Sequence, residues 1–127
     1  MKDSGISEPT EAGLSVREQR FDDRVVLSTS GRLDSNTCEK FERTILDVIE
    51  PDIRVLVVDL CDLVYISSAG LRVLLLAAQK SKAMERDLVL CNLTAHVREV
   101  FDISGFSSIF PIYRSVEEAL GGCPRTD

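Results

Sequence analysis

Val57-Val58-Asp59-Leu60-Cys61-Asp62-Leu63-Val64-Tyr65-Ile66-Ser67-Ser68-Ala69-Gly70-Leu71-Arg72 is the stretch on which the reading of this chain turns. Its start belongs to a near-continuous apolar segment, Ile53 to Leu60, which suits a strand covered on both faces. A short polar loop is expected next, and then Ser67 and Ser68 stand where a helix begins. Backbone N–H groups at a helix start lack intrahelical partners, and the helix dipole favours negative charge there. A hydroxyl in that place caps the helix, acts as a nucleophile or accepts a phosphate.

The helix runs from about Ala69 to Met84, with Leu71, Leu74, Leu75 and Ala78 as the stripe that faces a sheet. Arg72, Val73, Leu76 and Lys80 fall on the opposite side. Two aliphatics among charges on a wet face are either part of a partner surface or scattered surface hydrophobes.

Upstream, Leu14 to Arg20 and Arg24 to Ser30 read as strands flanking the turn Asp22-Asp23. Gly31-Arg32-Leu33-Asp34-Ser35-Asn36 breaks that pattern. A helix follows from about Thr37 to Ile49, where Asn36 and Glu39 resemble a capping box and Pro51 closes the run. Downstream, Asp87 to Cys91 is a strand, and Thr94 caps a helix whose inward residues are Val97, Val100, Phe101 and Ser104. Ile109 to Ile112, with Pro111, reads as an edge strand. Ser115-Val116-Glu117-Glu118 opens a last helix ending near Gly121. Two strands and then alternating helices and strands give one α/β domain with a mixed β-sheet of about five strands and about four helices. It spans residues 14–121, between tails at 1–13 and 122–127.

Composition narrows the function. The 127 residues carry a net charge of −6, which argues against a nucleic-acid partner. No apolar run reaches the roughly 18–20 residues that span a bilayer, and the first residues lack the apolar segment of a secretory signal, so the expected location is cytoplasmic. Cys38, Cys61, Cys91 and Cys123 form no C-x-x-C pair, and His96 is the one histidine, so no metal or cofactor is expected. The cysteines read as small buried hydrophobes, with Cys123 a tail thiol.

The two serines have four readings. A nucleophile elbow needs G-x-S-x-G, but Ile66-Ser67-Ser68-Ala69-Gly70 has no glycine before the serine and no histidine nearby. A phosphate-cradling loop needs more glycines and a lysine. A plain helix cap, worth about 1 kcal/mol, fits. So does a phosphoacceptor, because Ala69 and Gly70 leave the site sterically open and free N–H groups can hold a phosphate. These residues alone do not separate the last two.

Three segments in order, Gly31-Arg32-Leu33-Asp34 with Thr37, then Val57 to Leu75 around Ile66-Ser67-Ser68-Ala69-Gly70-Leu71, then Val100-Phe101-Asp102-Ile103-Ser104-Gly105-Phe106, give the chain a further reading. Over about residues 14–120 it resembles the STAS domain family, specifically the stand-alone anti-sigma factor antagonists. The resemblance implies a switch protein and not an enzyme. Its unmodified form would bind an anti-sigma factor that is also a GHKL-type serine kinase, and a PP2C-type phosphatase would reverse the phosphorylation. No membrane partner or small-molecule substrate is implied.

Aligned on Gly70 and Leu71, the family's modified serine falls on Ser68, with Ser67 as the alternative. Ser67 itself stands where the family has an aspartate, and Arg72 where it has a glycine. The implied partner surface is Asp34, Ser35, Ser67, Ser68, Gly70, Leu71, Arg72, Val73 and Leu76. A STAS scaffold or ligand-sensing module controlling another system, such as secretion, without phosphorylation is the alternative.

Overall fold

Two aspartates start the fold. Asp22 takes the left-handed conformation at φ 57°, which aspartate tolerates better than most residues, and turns the chain between β1 (Leu14–Phe21) and β2 (Arg24–Leu33). The two strands pair antiparallel along the whole of β1, from Leu14 opposite Gly31 to Phe21 opposite Arg24. The computed structural model describes residues 13–121, so the proposed tails, apart from Gly13, and Cys123 lie outside the described residues.

The remaining strands, β3 (Val55–Ile66), β4 (Asp87–Cys91) and β5 (Ile112–Tyr113), run parallel to β2, in the spatial order β1-β2-β3-β4-β5. Each crossover moves to the next strand through one helix: α1 (Cys38–Val48), α2 (Ser68–Ala83) and α3 (Ala95–Ser104). Right-handed crossovers that all step the same way put their helices on the same face. There Phe41 and Ile45 of α1, Leu71 and Leu74 of α2 and Val97 and Phe101 of α3 close on Val25, Leu27, Leu56, Val58 and Leu90. The last helix, α4 (Val116–Gly121), covers part of the other face, where Ala119 meets Val26, Val57, Val89 and Cys91.

Two of the local capping signals hold. Thr94 caps α3, its Oγ1 accepting from Val97 N at 3.3 Å, and Gly105 ends the helix at φ 83°. Ser115 Oγ accepts from Glu118 N at 3.1 Å at the start of α4.

Several expectations are corrected. No polar loop follows Leu60, because β3 continues to Ile66 alongside the far half of β2. Likewise Gly31-Arg32-Leu33 does not break the strand but extends it. Asn36 is not the cap of α1 and forms no box with Glu39. Thr37 takes that position, and its Oγ1 donates to Arg32 O at 2.9 Å and accepts from Asp34 N at 3.0 Å. Ser104 faces solvent, and the edge strand is only Ile112–Tyr113, after a 3-10 turn at Phe106–Ser108. Cys61 is exposed and Cys38 half-buried, leaving Cys91 as the buried cysteine among those described.

Candidate functional site

The β2–β3 pairing carries two loops to one end of the sheet. Leu33 pairs with Ile66, and Leu33 O accepts from Ser67 N at 2.9 Å. Asp34 follows Leu33 and Ser68 follows Ser67, so both stand at the carboxyl ends of adjacent parallel strands. That end is where helix N-termini and loops converge in open α/β sheets.

The first loop is held by its own polar groups. Asp34 Oδ1 accepts from Asn36 N at 3.0 Å, while Asp34 O accepts from Cys38 N at 2.8 Å. Its Oδ2 lies 3.5 Å from Arg32 Nε. That arginine is held a second time, its guanidinium carbon 4.3 Å from the centroid of the Tyr65 ring. Ser35 is exposed at the loop tip.

The second loop is the start of α2, and the two serines divide its work. Ser67 is the N-cap: its Oγ accepts from Gly70 N at 3.3 Å and its carbonyl from Leu71 N at 2.9 Å. Ser68 is the first residue of the helix, is exposed, and makes no side-chain hydrogen bond with a described residue. Along α2 the exposed positions continue as Ser68, Arg72 and Leu76, an i, i+4, i+8 row on one side of the helix.

Gly70, Leu71 and Val73 belong to the interior and not to that row. Val73 is 6% exposed and packs in the main core, which corrects its placement on the wet face. Leu71 is buried with it. Gly70 is a packing residue, since a Cβ there would lie 2.6 Å from Leu33 O and 2.9 Å from Leu33 Cγ. Its missing side chain lets α2 sit down on the strand that carries Asp34. Of the expected partner surface, Ser35, Ser68, Arg72 and Leu76 are exposed, and Asp34 and Ser67 are half-buried.

Three further residues stand at this end and were not singled out as partner-surface candidates in the sequence: Arg32, Val64 and Tyr65. Between Gly31↔Leu63 and Arg32↔Tyr65, β3 has one residue more than β2, and the unmatched residue is Val64, 64% exposed. Such bulges re-aim side chains next to functional sites. No local pattern marks it, because a bulge is a property of two strands.

The thiols of Cys61 and Cys91 do not supply a nucleophile. Cys61 is exposed as a residue, yet partial desolvation of its thiol and then the carboxylates of Asp59 and Asp62 push it up to about 11. Burial and then Asp59 and Cys61 push Cys91 up to about 12. Both stay protonated near neutral pH, and the thiolate is the reactive form.

The model of the STAS domain family matches residues 16–119. A Bordetella bronchiseptica protein, BtrV, whose name describes a candidate anti-sigma factor antagonist, is 44% identical over 106 residues, covering 84% of this chain and 91% of that protein. Among solved structures, an anti-sigma factor antagonist from Mycobacterium paratuberculosis superposes with a TM-score of 0.78 at 24% identity, over 91% of this chain and 97% of the other. The Bacillus cell fate determinant SpoIIAA in its phosphorylated form gives 0.66 at 21% identity, over 84% of this chain and 97% of the other.

Proposed function

The chain belongs to the STAS domain family, and from that premise we propose that it is an anti-sigma factor antagonist whose partner binding is switched by phosphorylation of Ser68. The unmodified protein binds an anti-sigma factor that is itself a GHKL-type serine kinase, and so frees the sigma factor. Phosphorylation ends the binding, and a PP2C-type phosphatase restores it. The site of action is the cytoplasm; among the described residues no helix is long and apolar enough to cross a membrane.

The observation that carries this reading is the division between adjacent serines. Ser67 is engaged as the cap of α2, whereas Ser68 offers an exposed hydroxyl one residue on, beside the Asp34 loop. The helix keeps its cap when Ser68 is modified, so the fold tolerates the phosphate. A partner pressed on the same surface does not. A hundredfold loss of affinity requires only about 2.7 kcal/mol. An uncompensated dianion trapped in an interface costs that much or more, so the switch is local and needs no refolding.

The test is to mix the protein with the anti-sigma kinase of its own genome and ATP and to map the product by mass spectrometry. Phosphate on Ser68 is expected. Ser68→Ala should hold the kinase in the presence of ATP, and Ser68→Asp should bind it weakly. Modification confined to another residue, or a Ser68→Ala protein that no longer binds, overturns the assignment.

A further inference from the structure

We propose that Arg72 is the counter-charge of the phosphate on Ser68, so that modification withdraws a cation from the docking face as well as adding an anion to it. The proposal rests on the reading of Ser68 as the phosphoacceptor.

Arg32, at the end of the strand beside Ser67, and Arg72, one turn along α2 from Ser68, differ in what already holds them. Arg32 lies 3.5 Å from the Asp34 carboxylate and stacks 4.3 Å from the Tyr65 ring, so its charge and its flat face are both in use. Arg72 is exposed and makes no ion pair, hydrogen bond or ring contact with a described residue. Of these two, Arg72 is the one that can turn toward a new anion without breaking a contact with a described residue.

Spacing supplies the rest. Residues four apart on a helix are surface neighbours, with Cβ atoms about 5–6 Å from one another, and the favourable order places the anion N-terminal to the cation. Ser68 and Arg72 have that order and both are exposed, so neither side chain must leave the interior to meet the other. A guanidinium presents parallel N–H donors that match two phosphate oxygens, which an ammonium cannot do.

The pair changes the sign of the surface. Unmodified, the row Ser68, Arg72, Leu76 carries one positive charge and suits an acidic patch on the partner. The phosphate brings about −1.5 to −2, so the row becomes net negative and its guanidinium is occupied. Loss of attraction and onset of repulsion then act together.

The experiment places phosphoserine at position 68 during translation, by genetic encoding, and follows the 31P resonance of the purified full chain against pH. A neighbouring cation favours the dianion, so with Arg72 present the phosphate should bind its last proton about threefold less tightly than in Arg72→Ala. Arg72→Lys should fall between the two. At about 1 M salt, where the screening length is near 3 Å, the difference should vanish. Coincident titration curves for Arg72 and Arg72→Ala at low salt overturn the proposal. Because no kinase is used, a kinase that ignores Ser68 defeats the functional assignment and leaves this measurement to decide the arginine separately.

Discussion

The two halves of β3 obey different rules. From Val55 to Asp59 the strand is hydrogen bonded to β2 on one side and β4 on the other, without a register shift, and Leu56, Val57, Val58 and Asp59 are buried. From Leu60 to Ile66 only β2 remains as a partner, and β3 carries two more residues than β2 over that length. Leu60, Leu63 and Ile66 point inward there, while Cys61, Asp62 and Val64 are exposed. A strand paired on both sides and covered on both faces cannot take an insertion, since one extra residue would swap its faces. Freed from β4, the same strand bends, and its end lifts Ser67 and Ser68 to the rim. Core and site are consecutive stretches of one strand.

The largest expected effect tests that contrast directly. Leu56→Ala in the doubly paired half should cost about 2–5 kcal/mol in chemical denaturation, the range for emptying a buried leucine site. Val64→Ala in the other half should change stability by no more than about 0.5 kcal/mol. Equal losses at the two positions would mean that the bulged half is as tightly packed as the first, and the comparison would fail.

Next in size is the point where the freed half meets α2. Gly70→Ala drives a methyl group against Leu33 O at 2.6 Å, and a strand carbonyl cannot step aside as a side-chain tip can. The expected cost is about 1–3 kcal/mol, measured by urea denaturation, with a matching fall in thermal midpoint. An unchanged midpoint would show that α2 can ride away from β2, and that the two loops are not held as one surface.

The same contrast explains what could be read from the sequence. The caps by Thr94 and Ser115 were legible because each involves residues within one turn. The run from Ile53 to Leu60 was legible because double burial leaves a continuous apolar segment. Beyond Leu60, polar residues look like a loop unless the pairing of Ser30 with Asp62 and of Leu33 with Ile66 is known, and that pairing is not local. Asn36 lost the cap of α1 for a similar reason: Thr37 reaches back to Arg32 O, a contact fixed by where β2 ends. A single apolar stripe on α2 does not predict the burial of Val73, because α2 packs on both the sheet and α1 and buries a wider arc. At the site, the type of residue and its place at a helix start were visible in the chain. Which serine caps and which leaves its hydroxyl unengaged among the described residues is set by how the end of β3 meets Leu33, which is not local.

The smallest effect is the most specific to the site, because it concerns two neighbouring residues of the same kind. Ser67→Ala removes the acceptor for Gly70 N, and the loss of a serine cap costs about 1 kcal/mol. Ser68→Ala removes a hydroxyl that holds nothing in the described structure, so its cost should stay within about 0.5 kcal/mol. Stability and phosphorylation should therefore separate between them: Ser67→Ala lowers the thermal midpoint and still accepts phosphate, whereas Ser68→Ala keeps the midpoint and does not. The reverse pattern would assign the cap to Ser68 and the modification to Ser67. A loss of both properties in one variant would mean that a single hydroxyl serves as cap and acceptor, in which case phosphorylation must break the helix start. The switch would then be conformational and not a charge placed on a preserved surface.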